Sequence, residues 1–152
     1  MRANTRLFGD IDIPAEKIIT LDNGIIGFPD MKHFTLIFDE EKKGASLMWF
    51  QSMDEPQFAM PVMQPHIIMP DYNPTINDSL LQPLGDLNEN NLYVLITVTV
   101  PPQIEKITVN LKAPIIINMD TLKGAQLIVE DDLSVRYAVY DILKKAKEGA
   151  GE

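Results

Sequence analysis

Two histidines, His33 and His66, are the only imidazoles in this chain. They stand far apart, and neither belongs to an H-E-x-x-H spacing that would bring two imidazoles to one metal. Cysteine is absent, which removes disulfides, thiolate-bound zinc and thiol catalysis. The four serines, Ser46, Ser52, Ser79 and Ser134, lack the G-x-S-x-G frame that lifts a nucleophile above a sheet. None of the eight glycines builds a phosphate-cradling loop. Two acids such as Asp54 and Asp71 have the right chemistry to split a glycosidic bond, but carboxylates in turns are ordinarily solvated. The sequence therefore assigns no catalytic residue, no metal ligand and no cofactor, and it reads as a non-enzyme.

The remaining chemistry is that of binding. Met48, Met53, Met60, Met63 and Met69 gather around Trp49 and Phe58. Flexible, polarisable thioethers suit an adaptable contact surface, and equally an irregular core. Carboxylates collect in three places: Asp54-Glu55, Glu130-Asp131-Asp132, and the stretch 71–92, which holds Asp71, Asp78, Asp86 and Glu89 with no Lys or Arg. With 13 Lys+Arg against 22 Asp+Glu, the net charge is −9. Such a field repels a phosphate backbone and favours a basic protein partner.

The elements that must hold these residues read as short strands. Asn110 to Asn118, NLKAPIIIN, carries Ile115, Ile116 and Ile117 in succession, so a strand there buries both faces. Pro114 can open it but cannot sit inside it. Leu92 to Val100 is rich in Val, Ile, Thr and Tyr. Further strands are expected at Leu7–Ile13, Ile18–Leu21, Phe34–Phe38, Leu47–Ser52, Phe58–Met63, Lys106–Leu111 and Ala125–Val129. Pro61 demotes the Phe58–Met63 segment to an edge or bulged strand. Turns are expected at Asp22-Asn23-Gly24, at Gly27-Phe28-Pro29-Asp30, through the charged run Asp39 to Gly44, and at Lys123-Gly124. One short helix near Asn77–Leu81 has Thr75 or Asn77 as its cap and Gly85 beyond its end. A second begins at Ser134, with Val135, Ala138, Val139, Ile142 and Ala146 on one face and Gly149-Ala150-Gly151 closing it. The pattern predicts an all-β fold, a small antiparallel β-barrel or roll with one or two short helices.

At 152 residues the chain is read as one domain, 1–152, with 137–152 as a C-terminal helical tail. No apolar run approaches the roughly 20 residues that span a bilayer. Met1 to Asn4 does not open a signal peptide. A cytoplasmic monomer is the expectation.

The order of motifs resembles the FliW family of flagellar assembly factors. The matching residues are Ile18-Ile19-Thr20-Leu21 with Gly24-Ile25-Ile26-Gly27-Phe28, Trp49 to Pro56, Phe58-Ala59-Met60, Pro70-Asp71-Tyr72, Thr108 to Asn118, and Gly124-Ala125-Gln126 with the acids that follow. Ile26 stands where the family usually has proline, and Leu133 where an aromatic is usual. The resemblance implies a non-catalytic β-barrel that binds flagellin and also CsrA, the RNA-binding carbon storage regulator. Occupation by flagellin frees CsrA to repress flagellin translation, and secretion of flagellin reverses this. It implies no cofactor, no direct nucleic-acid contact and no membrane. Partner contacts are expected at Asp54, Glu55, Met60, Met63, Asp71, Tyr72, Glu130, Asp131 and Asp132. Met60 and Met63 would line a groove for an amphipathic flagellin helix. Asp54, Glu55 and the acids 130–132 would face CsrA. The competing reading is a small β-barrel that carries an apolar ligand in its lumen.

Overall fold

The computed structural model describes residues 1–38 and 47–150, with side chains through Lys145. The charged run Asp39 to Gly44 and the expected helix end at Gly151 lie outside the described residues, as do the side chains of Ala146 and Lys147. Eleven strands are present among the described residues: β1 (Arg2–Thr5), β2 (Gly9–Asp12), β3 (Ile19–Leu21), β4 (His33–Phe38), β5 (Met48–Ser52), β6 (Ala59–Met63), β7 (Leu92–Thr99), β8 (Thr108–Val109), β9 (Ile115–Asn118), β10 (Lys123–Gln126) and β11 (Tyr137–Ala138). Two α-helices accompany them, α1 (Asp78–Leu81) and α2 (Tyr140–Ala150).

Strands β7-β6-β5-β4-β3-β10-β9 are paired in that order, and β9 pairs back to β7, so seven strands close a barrel. Every pairing in it is antiparallel except β3 with β10, which run parallel. Closure leaves these seven strands without a free edge over their paired length. β1 and β2 form a separate hairpin with Thr5 opposite Gly9, and β8 with β11 extends the sheet beside β7.

Alternation sends one side of each strand into the lumen. Leu21, Phe34, Phe50, Val62, Leu95, Ile115 and Ile117 are fully buried there. The Phe34 and Phe50 rings stack at 4.3 Å and 7°. A second core forms on the other side of β6 and β7, where Met63, Ile96 and Val98 meet Ile68, Tyr72, Ile107, Val109, Leu111 and Val139. The first turn of α2 lies against it through Tyr140, Ile142 and Leu143. The isoleucine run is buried on both faces as expected: Ile115 and Ile117 at 0% exposure and Ile116 at 2%.

Four local expectations are corrected. β6 is an interior strand, paired to β5 and to β7. Pro61 faces Trp49 of β5 and is tolerated because the ladder with β7 covers only Val62 and Met63, so no bond to β7 at residue 61 needs the missing N–H. Lys123 and Gly124 lie within β10 opposite Asn118 and Ile117, and the turn precedes them. Lys106 sits in a 3-10 turn, so β8 is shorter than expected. Ser134 does not cap a helix: its Oγ accepts from Arg136 N, and Tyr137 pairs with Val109. The C-terminal segment is therefore stitched into the sheet before α2 begins at Tyr140. α1 is capped as expected, with Asn77 Oδ1 accepting from Ser79 N at 3.0 Å.

Candidate functional site

Strand directions place the exits of β3, β5, β7 and β10 and the entries of β4, β6 and β9 at one end of the barrel. The turn after β5 is built by its own side chains. Ser52 Oγ accepts from Glu55 N at 2.9 Å. Gln51, fully buried, donates through Nε2 to the carbonyls of Ser52, Pro56 and Phe58. Asp54 ties this turn to the start of β4: Oδ2 accepts from Lys32 N at 2.7 Å and His33 N at 2.8 Å. His33 Nδ1 stands 3.0 Å from Oδ1. Partial burial pushes the Asp54 carboxyl up, but the His33 hydrogen bond, the two backbone donors and the His33 charge together hold it below the usual carboxylate range. A glycosidase acid needs its carboxyl raised, and Asp54 is moved the other way.

Beside it, the chain between β3 and β4 makes a tight reversal at Ile25–Phe28. Ile25 and Phe28 exchange both backbone hydrogen bonds, at 3.3 and 2.9 Å. Gly24 and Gly27 take φ of +66° and +90°, which other residues adopt only under strain. Ile26 N–H donates to Gln126 Oε1 at 2.8 Å, and Gln126 Nε2 donates on to Ala113 O at 3.2 Å. A proline at 26 would offer no such donor. The reversal holds Ile26 and Phe28 out, 50% and 46% exposed, with the Phe28 ring 5.3 Å from that of Phe58.

A groove of about 350 Å³ opens between this reversal and the point where β6 and β7 part at Pro61. Phe58, Met60 and Pro61 form one wall, Thr97 and Val98 the other, and Ile26 and Phe28 the rim. A second groove, of about 320 Å³, lies on the far side of Phe28 and is bordered by Asp30, Asp54 and Glu55.

The acids after β10 do different work. Asp131 Oδ1 accepts from Thr75 N at 2.8 Å, and its carbonyl accepts from Lys112 Nζ at 2.6 Å. The Tyr72 hydroxyl donates to Leu111 O at 2.7 Å. Burial, with the nearby Asp131 charge, pushes the Tyr72 phenol up to about 12.

Among the expected contact residues, Asp54, Glu55 and Met60 thus meet at the barrel mouth, and Asp71, Glu130 and Asp132 are exposed. Met63 and Tyr72 are corrected: at 0% and 5% exposure both belong to the second core. Met63 points the opposite way from Val62, which fills the lumen, because neighbouring strand residues alternate. Asp131 is half-buried and its carboxylate braces the 71–75 segment. The sequence reading missed Ile26, Phe28, Asp30 and Gln126. The available signal was two large apolar residues in a glycine-bounded turn, where solvated side chains are ordinary. Among the described residues, no cluster of three His, Asp or Glu could hold a metal ion, and no helix is long and apolar enough to cross a membrane.

A closed barrel with a filled lumen and an apolar, acid-bordered mouth defines a small β-barrel whose reachable chemistry lies on its outside. Residues 2–139 match the family model for the FliW protein. The flagellar assembly factor FliW of Lachnospira eligens is 49% identical over 148 residues, 95% of this chain and 98% of that protein. That of Lachnoclostridium phytofermentans is 45% identical over 151 residues, 97% of each. A crystal structure of the flagellar assembly factor FliW superimposes with a TM-score of 0.83 at 26% identity, covering 91% of this chain and 96% of that one. The chain belongs to the FliW family.

Proposed function

We propose that this chain is a non-catalytic flagellar assembly factor, a cytoplasmic monomer acting as one unit, that works by occupying two protein partners in turn. One is flagellin. The other is CsrA, which represses translation of flagellin messenger RNA when it is free. Accumulated flagellin occupies the factor and leaves CsrA to repress. Secretion of flagellin returns the factor to CsrA and lifts the repression.

Family membership supports the reading, since the relatives are flagellar assembly factors. The observation that carries it is the barrel mouth, an apolar groove flanked by exposed carboxylates in a chain of net charge −9. An apolar groove suits an anchoring side chain of an amphipathic segment. Carboxylates suit a basic partner, and an RNA-binding protein must be basic where it holds phosphates. The same negative field keeps this chain off nucleic acid, so it acts on CsrA as a protein. Met60, Asp54, Glu55, Asp71, Glu130 and Asp132 are the surface positions retained for these contacts. A carrier barrel needs an open lumen, whereas this lumen is filled by Phe34, Phe50, Ile115 and Ile117.

Size-exclusion chromatography with light scattering tests the reading. The purified chain is mixed separately with flagellin and with CsrA. A complex with each is expected, and a chain that elutes alone from both mixtures overturns the proposal.

A further inference from the structure

We infer that the barrel mouth is a two-part receptor for a peptide segment presenting a large apolar anchor beside a lysine or arginine. This rests on the protein-binding reading above and states the chemistry its partner must offer. Phe28 forms a wall common to both grooves. On one side lies the apolar groove lined by Met60 and Thr97, and on the other lie Asp30, Asp54 and Glu55. None of the residues lining either groove is cationic, so the charge there is of one sign. Asp54 is already engaged by Lys32 and His33, which leaves exposed Asp30 and Glu55 to meet the partner's cation.

The rim is pre-shaped. The Gln126 bridge and the paired Ile25–Phe28 backbone set the position of Ile26 and Phe28 before any partner arrives. Less ordering is then lost on binding. The gap itself follows from sequence: Pro61 cannot donate to β7, the two strands part there, and an apolar side chain can enter between them. Burying that anchor supplies affinity, while the two carboxylates act chiefly on encounter.

The test measures binding of purified flagellin and of purified CsrA to the full chain at low and high salt. The variants are Phe28→Ala, Phe28→Leu and the double Asp30→Asn/Glu55→Gln, each checked for an unchanged circular dichroism spectrum. Phe28→Ala should weaken at least one partner about tenfold or more at both salts, and Phe28→Leu should restore most of it. The double charge variant should slow association of that partner several-fold at low salt and little at high salt. If flagellin and CsrA each bind the wild type and all variants alike, the receptor is overturned while the assembly-factor reading stands. A loss in Phe28→Ala without a salt-dependent loss in the charge variant overturns the cationic half. A wild-type chain that binds neither partner overturns both readings together.

Discussion

Gly24→Ala should be among the most damaging single-methyl changes in this chain. A Cβ at Gly24 would lie 2.4 Å from Phe28 O and 2.7 Å from both C and Cα of Pro29. All three are backbone atoms, so no side chain can swing away. Phe28 O also accepts from Ile25 N and Met31 N, which fixes it from two sides. The φ of +66° adds about 1–2 kcal/mol for any L side chain, and relief of the overlap adds a further 1–3 kcal/mol or so. The sum is about 2–5 kcal/mol, or a fall in Tm of roughly 5–20 °C for a chain of this length. Gly27→Ala is the internal control. It shares the positive φ, at +90°, but its Cβ would meet nothing within 4 Å, so it should show the backbone cost alone. Urea and thermal unfolding followed by circular dichroism compare the two. If Gly24→Ala is no more destabilising than Gly27→Ala, the close approach that shapes the mouth is not real.

Gln126→Ala should cost about 1–3 kcal/mol by leaving Ile26 N–H and Ala113 O without their partner, and amide exchange at Ile26 should accelerate. Tyr72→Phe should cost about 1–2 kcal/mol through the lost hydrogen bond to Leu111 O, and in the parent chain one phenolate should appear only near pH 12. Asp54 has a folded pKa below its unfolded value, so its contribution is full above the unfolded value of about 3.9 and is lost as pH falls through the folded one. Urea midpoints of Asp54→Asn and parent should therefore differ most at neutral pH and converge below about pH 4.

Much of the fold was legible because burial leaves a mark in composition. Ile115 to Ile117 announced a strand hidden on both faces, and Asn77 announced the start of α1, although Gly85 closes the 3-10 turn that follows it rather than the helix. What could not be read was pairing, which depends on distant segments. Pro61 looked like an edge residue because the sequence does not show where the β7 ladder stops. Met63 looked like a groove residue because its face follows from register, and a shift of one position exchanges inside for outside. Ser134 has every local qualification for a helix cap, yet pairing of Tyr137 with Val109 wins. The candidate mouth was named in part from sequence. Residue chemistry pointed to Asp54, Glu55 and Met60, which line the mouth, whereas Ile26, Phe28 and Gln126 meet only because β3 and β10 run parallel.

Amide hydrogen exchange of the whole chain, alone and saturated with flagellin, tests most directly that the mouth is where partners dock. New protection is expected at residues 25–31 and 53–61, with little change at the 119–122 turn on the opposite end. Protection confined to that opposite end, with none around Phe28 and Met60, would contradict it.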